Sequence, residues 1–542
     1  MAADMAFIKV QKLKRNQTGS VISGSASIVE SVYCPGSGNS HSKQKVRERL
    51  GKIVSLSDDR KSGIFLSPTR GLIHYDSVSD VFSEVSEQER SSICVSLFPE
   101  PEVHTVFGDS YLLLDFLEKQ GLLAVFQSVF QKKSDLERLL CHVLHGVLKD
   151  GSHISCDDFI EKSYASYLFT EVPFSSLHSD TAFFTMMGDD RIRMDFFRAF
   201  IALMRKDNPD FGRGCYVDST PLPNAIHDNP FNALCCHGVS SSQIQTRLVL
   251  VLDEVSGLPV WYDIIPGNIL DLSTVMNIVN DVASSLDIEI ESLVLDAGYV
   301  CEPLIRAFHV GSEKTVISRM PARRGYPFKE LYWKTKGMIS RGKYQFVREN
   351  HTYFGKKEEI TLFGKYREYA YVYVDHENAN LRFRDYLLEN EEEFQKLKDK
   401  DKDWQMVKNG YFVLISNRDT TPEELLTSYF CRTEIEGVFK TSKEYLELLP
   451  LSKWSDRTVR GKILHDMIDT IIFLKLRAVM ETTGISVSRL FGKTQSLMCF
   501  KNQYGEVLVE VPSKKVKQFY KVIGSPVPSS VNIASEARRI LG

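Results

Sequence analysis

Hydrophobic residues in the first hundred positions come in short runs separated by Gly, Ser and Pro, a pattern typical of short strands joined by turns. The candidate strands are Phe7–Val10, Ser25–Val32, Lys52–Leu56 and Gly63–Leu66. Between them, His41–Arg49 carries dense positive charge and is interpreted as a basic arm. Residues 1–104 are therefore predicted to form a small β-rich module with a basic arm.

From Asp109 onward the apolar positions recur at helical spacing, which predicts a helix through Leu122. Ser134 and Glu137 match a capping box and predict that the next helix begins there. Two further helical patterns follow, so residues 105–213 are predicted to be a helical unit.

Past Gly214, apolar runs predict strands. The runs are Cys215–Thr220, Arg247–Leu252, Leu258–Ile265, Ser292–Gly298 and Tyr411–Ile415. A helix is predicted near 271–286. The order strand, hairpin, helix, strand is typical of an α/β layer fold.

The remaining patterns complete the predicted organisation. Residues 214–317 and 411–480 form the α/β unit, which ends in a long amphipathic helix near 457–480. Residues 318–410 are basic and aromatic, and they are predicted to be β-rich with a charged helix near 385–402. Residues 481–542 form a smaller mixed tail region.

The composition is that of a globular protein, with 43% hydrophobic and 25% charged residues, and 542 residues allow several structural units. The most apolar helix candidate, Ile463–Met480, is interrupted by charged residues, so no membrane span is predicted. The segment Met1–Lys9 has no apolar signal-peptide region. The expected location is the cytoplasm.

Ten cysteines occur without any C-x-x-C pair. The nearest approach to a metal cluster is Cys141, His142, His145, His153 and Cys156. Its spacing matches no zinc template, and His142 and His145 fall in a leucine-rich helical pattern. Reduced cysteines in the core are the preferred interpretation.

The net charge of −3 gives no global indication of a nucleic-acid partner, but the charge is unevenly distributed. Residues 1–70 carry twelve Lys and Arg against five Asp and Glu, and residues 319–345 carry eight basic residues against Glu330. Local basic patches suit a polyanionic partner. Solvated loops are the alternative.

Two acids follow apolar strand patterns directly, namely Asp218 and Asp296. Asp253 also follows such a run, but the chain turns back at once, so a role in the hairpin is sufficient. Asp271 follows Pro-Gly-Asn and is more simply an N-terminal residue of a helix.

A third acid, Glu436, lies on a helix pattern that begins near Thr420–Glu423. Tyr429, Arg432, Glu436 and Lys443 fall within one stripe roughly 60° wide. The rest of the circumference is largely apolar, which predicts a buried helix whose polar stripe faces a site. The alternative is a solvated stripe in which Arg432 and Glu436 form an ordinary i,i+4 pair.

Three carboxylates that converge from two strands and a helix favour hard divalent cations, which prefer oxygen ligands. Two such ions activate an attacking oxygen and stabilise a leaving oxygen on one phosphorus. Arg and Lys beside them suit phosphate oxygens, and Tyr supplies a hydroxyl or a face for a base. The pattern predicts phosphoryl chemistry on a nucleic acid.

The spacing Tyr429-x2-Arg432-x3-Glu436-x6-Lys443 resembles the Y-R-E-K signature of bacterial insertion-sequence transposases of the DDE class, in the insertion sequence 4 superfamily. The neighbourhoods of Asp218 and Asp296 are similar to strand blocks of that family. The resemblance covers about 214–480. It implies a ribonuclease H-like catalytic core, interrupted by a mostly β insertion at 318–410.

The resemblance further implies that Asp218, Asp296 and Glu436 are catalytic and hold two Mg²⁺ ions, for which Mn²⁺ substitutes. The implied partners are DNA, both as terminal inverted repeats and as target, and a second copy of the chain in a synaptic homodimer. The implied location is the nucleoid of a bacterial cytoplasm.

The residues expected to contact DNA belong to the helix stripe and to the basic aromatic segment. They are Tyr429, Arg432, Lys443, Arg319, Arg323, Arg324 and Trp333. The chain departs from the family where it reads Asp296-Ala-Gly-Tyr instead of Asp-Arg-Gly, which leaves one phosphate-contacting arginine unaccounted for. Arg319 is the candidate replacement, and Trp404 is a weaker candidate for an aromatic platform.

The function predicted from these patterns is divalent-metal-dependent DNA cleavage at element ends, followed by strand transfer. One alternative is a ribonuclease H-like nuclease without strand transfer, which would not need the basic regions outside the core. The other is a domesticated DNA-binding protein that no longer cuts, which the intact acids argue against.

Overall fold

A computed structural model of the chain divides it into two compact units, residues 1–103 and 104–542. The structure describes residues 6–15, 21–33, 42–85, 104–149, 153–223, 226, 229–234, 244–268, 277–278, 285–430, 437–438, 453–501 and 506–542.

The first unit is a six-stranded antiparallel sheet in which each strand pairs with the next along the chain. Its strands are β1 (Ala6–Arg15), β2 (Val21–Tyr33), β3 (Ser42–Leu56), β4 (Ser62–Ser67), β5 (Gly71–Asp76) and β6 (Val81–Glu84). Ile28, Leu50, Phe65 and Tyr75 are fully buried in its core.

The predicted basic arm is wrong for residues 42–49, because they form the first half of the inner strand β3. Lys43 and Lys45 pair with Val32 and Glu30 of β2. Backbone pairing with β2 therefore overrides the scarcity of apolar residues in this segment, in which Val46 is the single apolar position.

The second unit is built on a ten-stranded mixed sheet. Its strands are β8 (Gly214–Pro223), β9 (Ala233–Leu234), β10 (Ile244–Asp253), β11 (Pro259–Pro266), β12 (Ser292–Leu295), β13 (Thr315–Arg319), β14 (Gln345–Arg348), β15 (His351–Leu362), β16 (Tyr366–Asp375) and β17 (Tyr411–Ser416). The order is β11-β10-β8-β12-β13-β17-β16-β15-β14, with β9 beside β10. Only β8, β12 and β13 run parallel to one another.

Two hydrophobic cores lie on opposite faces of this sheet, and the alternation along its strands assigns residues to each. In β16, Tyr371 and Tyr373 belong to the larger core, whereas Val372 and Val374 belong to the smaller one. Strands buried on both faces explain the continuous apolar runs of the sequence.

Residues 318–410 were predicted to be a mostly β insertion, but they are mixed and do not form a sheet of their own. The strands β14, β15 and β16 extend the same sheet through β17. Helices α8 (Phe328–Thr335), α9 (His376–Lys396) and α10 (Asp399–Val407) account for the rest of the regular structure. The helix α9 begins nine residues before the predicted position, because the Asp375 side chain accepts a hydrogen bond from Asn378 N at 2.9 Å and caps it.

Residues 105–213, predicted to be a helical unit, contain six α-helices in the part that the structure describes, after a two-residue strand at Thr105–Val106. They are α1 (Gly108–Lys119), α2 (Leu122–Val129), α3 (Lys133–Leu148), α4 (Cys156–Glu161), α5 (Thr181–Met187) and α6 (Asp190–Met204). The capping box at Ser134 is wrong: α3 starts one residue earlier, without a side-chain cap. The Glu137 carboxylate instead accepts from Glu171 N at 2.7 Å.

The long helix α12 (Asp456–Met480) packs against α3 and α5, so residues beyond 450 complete the helical unit. It is buried on all sides over much of its length, which is typical of a helix inside a core. Gly461 and Gly188 allow the close approach: a Cβ on Gly461 would overlap the carbonyl oxygen of Phe184 and lie 2.8 Å from Gly188 N.

The C-terminal residues pack on the start of the second unit. Strands β18 (Met498–Lys501), β19 (Glu506–Val509) and β20 (Ser530–Asn532) form a sheet with β7 (Thr105–Val106). Helices α13 (Val487–Thr494), α14 (Lys514–Ile523) and α15 (Ile533–Leu541) surround it. The Tyr520 hydroxyl donates to the Gly108 carbonyl at 2.7 Å.

The predicted helix at 271–286 falls largely outside the described residues. The described residues of the second unit include two further helices, α7 (Glu302–Ala307) and α11 (Pro422–Phe430). Within the described part of the chain, every helix is too short or too polar to cross a bilayer.

Candidate functional site

Two of the three predicted acids lie side by side at the centre of the ten-stranded sheet. Val217 of β8 pairs with Leu295 of β12 in parallel register, and each is followed directly by an aspartate. Neighbouring strands are about 4.8 Å apart, so Asp218 and Asp296 occupy adjacent positions. Both side chains are half-buried.

Asp218 lies within its strand and not at the strand end, which differs from the sequence-based interpretation. β8 continues to Pro223 because β10 pairs with it along its whole length, with Leu250 opposite Asp218. The Asp218 Oδ1 accepts from Ser219 N at 2.8 Å. On its other side, β12 ends at Leu295, which pairs with Val217, so Asp296 is the next residue of the chain beside Asp218.

Asp296 lies at the end of β12, as predicted, just before a short 3-10 turn at Ala297–Tyr299. Its carbonyl oxygen accepts from the Ser318 hydroxyl at 3.1 Å and from Tyr299 N at 3.2 Å. These two hydrogen bonds fix the backbone of Asp296, where β12 ends and the short turn begins.

Arg319 continues the row formed by the two acids. Ser318 of β13 pairs with Leu295, so Arg319 follows at the same level as Asp296. Its guanidinium lies 5.7 Å from the centre of the Phe412 ring and is exposed. The backbone register therefore places Arg319 in the same row as the two acids.

Arg323 and Arg324 lie in the exposed loop after β13. The loop is tied to the segment that follows Asp296, because the Tyr326 hydroxyl donates to the Val300 carbonyl at 3.1 Å. The Arg323 guanidinium lies 5.6 Å from the Tyr326 ring centre. The hydrogen bond between Tyr326 and Val300 therefore holds the loop with Arg323 and Arg324 against the segment that follows Asp296.

Arg247 is a near neighbour of this region that the sequence analysis did not single out. Its Nη2 donates to Ser219 Oγ at 2.6 Å, but Ser219 follows Asp218 in β8, so this pair lies on the opposite face of the sheet from the Asp218 carboxylate. The signal in the sequence was a charged residue at the head of an otherwise apolar run, which was interpreted only as the start of a strand.

Asp253 has the structural role predicted for it. It accepts hydrogen bonds from Gly212 N at 2.9 Å and from both Ser256 N and Ser256 Oγ at 2.8 Å. It pairs with Cys215, at the opposite end of β8 from Pro223. Asp253 therefore closes the hairpin away from the paired acids.

The helix predicted to carry the polar stripe begins as expected. Thr421 and Glu424 cap it reciprocally: Thr421 Oγ1 accepts from Glu424 N at 3.2 Å, and the Glu424 carboxylate accepts from Thr421 N at 3.4 Å. Tyr429 is only 5% exposed and lies in the larger core, on the face of α11 that packs inward. Its burial leaves little of its surface to a nucleotide.

Arg432, Glu436 and Lys443 lie outside the described residues. Gly437 and Val438, which follow Glu436, are described, and Val438 is 3% exposed. They line a cavity together with Glu254–Gly257 of the β10–β11 hairpin and with Arg477 of α12.

The two tryptophan candidates for contact with DNA have similar surroundings. Trp333, on α8, is half-buried, and its ring lies 5.1 Å from Lys336 Nζ and 4.7 Å from Lys400 Nζ. Trp404 is also half-buried, packs edge-on against Tyr332 and Tyr411 beside the smaller core, and has Lys329 Nζ 5.6 Å from its ring. Both tryptophans thus combine contacts with the smaller core and a lysine over the ring.

The described part of the site fits a divalent cation through its donor chemistry. Asp218 and Asp296 offer carboxylate oxygens, the ligands that Mg²⁺ and Mn²⁺ prefer. Their half-buried positions limit hydration without removing it.

Comparison with known proteins identifies this region. Residues 210–464 match the family model of the transposase DDE domain, a stretch that includes Asp218 and Asp296. A cryo-EM structure of a piggyBac transposase synaptic complex with hairpin DNA is similar over 80% of this chain and 86% of that chain, at 10% identity and a TM-score of 0.39. Similarity at that level carries no weight for function. No curated protein matches the chain.

The match over residues 210–464 supports a DNA transposase function for this chain, which is that of an enzyme acting on DNA. Domains of this family work with divalent metal ions.

Proposed function

We propose that Asp218, Asp296 and Glu436 form the catalytic triad of a ribonuclease H-like core of the insertion sequence 4 type. The observation that carries this proposal is the parallel pairing of Val217 with Leu295, because it sets two half-buried aspartates on adjacent strands. Glu436 joins them by its position in the Y-R-E-K spacing.

The triad would hold two Mg²⁺ ions, or Mn²⁺ in their place. When bound, such ions lower the pKa of an attacking water and stabilise negative charge on the leaving oxygen. The protein's own task is to fix the carboxylates, and the bonds from Ser219 N to Asp218 and from Ser318 Oγ to the Asp296 carbonyl support that task.

The cations around the acids would hold the scissile phosphate in place. Arg319 follows the row of acids, and Arg323 and Arg324 belong to the loop that Tyr326 ties to Val300. Guanidinium groups bind phosphate oxygens through two parallel hydrogen bonds. Arg432 and Lys443 are proposed to add two more phosphate contacts, whereas Tyr429, which is buried in the larger core, would support the helix that carries them.

A cleavage assay on labelled DNA ends tests the triad. Asp218→Ala, Asp296→Ala and Glu436→Ala are each expected to abolish cleavage while end binding in a gel shift persists, because the acids act on the chemistry more than on affinity. Asp210→Ala, at an exposed aspartate, serves as the control and should cut at the wild-type rate. Strong cleavage by any triad variant would reject its assignment.

The substrate and reaction order are also part of the proposal. Terminal inverted repeats in the DNA that flanks the coding sequence are expected for an element-encoded transposase that cuts its own ends. Joining of a pre-cut 3′-hydroxyl end to plasmid DNA separates a transposase from a nuclease without strand transfer. A synaptic homodimer is expected to appear as a protein–DNA complex that contains two chains and two ends.

The N-terminal unit is proposed to bind the terminal repeats. Arg47 is paired with Glu30 and Asp80, and Arg70 with Glu48. Lys43, Lys45 and Arg49 on β3 are exposed and form the basic part of that strand. These three residues are therefore the better candidates for phosphate contacts.

Replacing Lys43, Lys45 and Arg49 together by Ala should weaken end binding and reduce the slope of log affinity against log salt by up to about 3. The matched control is Arg70→Ala, which removes a cation already paired with Glu48 and should change the slope by less. An unchanged slope in the triple variant would assign this unit another role, such as dimer contacts.

A further inference from the structure

A buried cluster of histidines and aspartates lies in the helical unit, away from the paired acids of the sheet. It is formed by α3, by the 3-10 turn His153–Ser155 and by α12. Its members are His142, His145, His153, His465, Asp466 and Asp469.

Several polar atoms of this cluster are buried without a hydrogen-bond partner among the described residues. They are both ring nitrogens of His142, Nδ1 of His145, Nδ1 of His153, Nε2 of His465 and Oδ1 of Asp469. His142 and His465 are fully buried, and Asp469 is 1% exposed. Each such group costs about 1–3 kcal/mol when it has no partner, so a cluster of them is unusual for a core.

Three of the side chains already have the geometry of a ligand set. One donor atom each of His153, His465 and Asp466 lie within 4.8 Å of one another. Two ligands of one tetrahedral Zn²⁺ are separated by about 3.4 Å, given Zn–N distances near 2.0–2.1 Å. Small rotamer adjustments are enough to close the set around one ion.

The surrounding groups suit a metal-binding imidazole. Asp469 Oδ2 lies 3.5 Å from His465 Nδ1, the relation in which a carboxylate orients a histidine ligand. Lys462 Nζ lies 2.8 Å from Asp466 Oδ2, and the other oxygen of Asp466 faces His465. The carboxylate thus has one oxygen directed to the cluster.

Gly146 on α3 permits this arrangement. A Cβ at that position would overlap Asp469 Oδ2 and would lie 3.3 Å from His465 Cε1. The absence of a side chain at 146 therefore lets α3 approach the His465 face of α12.

We propose that His153, His465 and Asp466 bind one transition-metal ion of the Zn²⁺ class, with His145, His142 or a water as the remaining ligand. Imidazole nitrogens favour Zn²⁺ over Mg²⁺, which distinguishes this site from the all-oxygen pair Asp218 and Asp296. The ion would join α12 to α3 and to the 3-10 turn, so its role is structural. This proposal does not depend on the assignment of the catalytic triad.

The test uses the full-length protein, treated with a chelator and then dialysed into buffer with excess Mg²⁺. Co²⁺ titration, followed by visible absorption, reports nitrogen ligation, and competition with a chromogenic chelator reports Zn²⁺ affinity. One equivalent is expected to bind, and Zn²⁺ should raise the thermal unfolding temperature. His153→Ala and His465→Ala are expected to weaken Zn²⁺ binding at least about tenfold, since each removes a direct ligand.

The controls separate this site from others in the chain. His309→Ala, at an exposed histidine outside the helical unit, and Asp218→Ala should both keep the wild-type cobalt spectrum. His153 is only half-buried, so its variant is expected to fold even if the fully buried His465 variant does not. The absence of saturable Co²⁺ binding by the wild-type protein would overturn the proposal, as would wild-type Zn²⁺ affinity in His153→Ala.

Discussion

Replacing Gly by Ala is expected to lower the free energy of unfolding at Gly461, where α12 contacts α5, and to raise it at Gly492. An Ala at position 461 would place its Cβ against the Phe184 carbonyl and 2.8 Å from Gly188 N, both backbone groups. In α13, Gly492 is also helical, but a Cβ there meets nothing within 4 Å. The same substitution therefore tests packing at one site and intrinsic helix preference at the other.

The magnitude follows from two terms. Replacing Gly by Ala inside a helix gains about 0.5–1 kcal/mol in both cases. Overpacking costs about 1–3 kcal/mol, and the upper part of that range applies to Gly461 because a backbone carbonyl cannot rotate away as a side chain does. Gly461→Ala is thus expected to lose about 1–2 kcal/mol net, whereas Gly492→Ala should gain up to about 1 kcal/mol.

Urea unfolding followed by helical circular dichroism measures both variants, since the described part of the first unit is all β and contributes little to that signal. The midpoint should fall for Gly461→Ala and stay or rise for Gly492→Ala. If both variants shift in the same direction by similar amounts, the close approach of α12 to α5 is wrong.

Three further outcomes are expected. Asp253→Ala should lose about 2–4 kcal/mol of unfolding free energy, because it leaves Gly212 N and Ser256 N without their acceptor. Asp253→Asn should lose less than Asp253→Ala but stay below the wild type, because its single amide oxygen can accept from only one of these two groups; cleavage per folded molecule should persist in both variants. Burial raises the pKa of Glu368 to about 8, above its usual 4.5, so its penalty to stability is absent below pH 4.5, grows as the pH rises from 4.5 to 8, and is complete above 8. Glu368→Gln should therefore match the wild type in urea unfolding at pH 4 and exceed it at pH 9; equal stability at both values would contradict the shift. In a cleavage time course, Trp333→Ala should slow a strand-opening step more than the first nick, and Trp333→Phe should restore the rate of that step. Wild-type rates at every step in Trp333→Ala would mean that the ring has only a structural role.

Local sequence patterns predicted what depends on local physics. Apolar runs predicted the strands that carry Asp218 and Asp296, because a strand buried on both faces requires them. The capped start of α11 was likewise readable from Thr421 and Glu424. The parallel register that makes the two acids neighbours could not be predicted from local patterns, because it depends on the pairing of strands about eighty residues apart in the sequence.

Long-range pairing also explains the errors. The segment 42–49 lacks an alternating apolar pattern, yet β2 supplies its hydrogen bonds. β7 is only two residues long and pairs with β18 almost four hundred residues later, so nothing near Thr105 signals that the C-terminal region packs there. His465 likewise joins His142 and His153 only through the packing of α12, and the spacing of residues 141–156 alone gave no metal template.

The helical unit and the sheet together constrain where the segment with Glu436 enters and leaves. On the entry side, the Tyr371 and Tyr373 hydroxyls donate to the Arg418 and Pro422 carbonyls at 2.6 and 2.7 Å, which fixes α11 on the sheet. On the exit side, Lys453 Nζ lies 2.6 Å from Asp180 Oδ2, an ion pair that holds the chain three residues before α12 begins. The position of α12 depends in turn on the contact at Gly461 and on the histidine cluster. Perturbing either is therefore expected to change cleavage without touching any group that binds DNA, and a Gly461→Ala protein that stays folded yet cuts slowly would show that this packing positions the site.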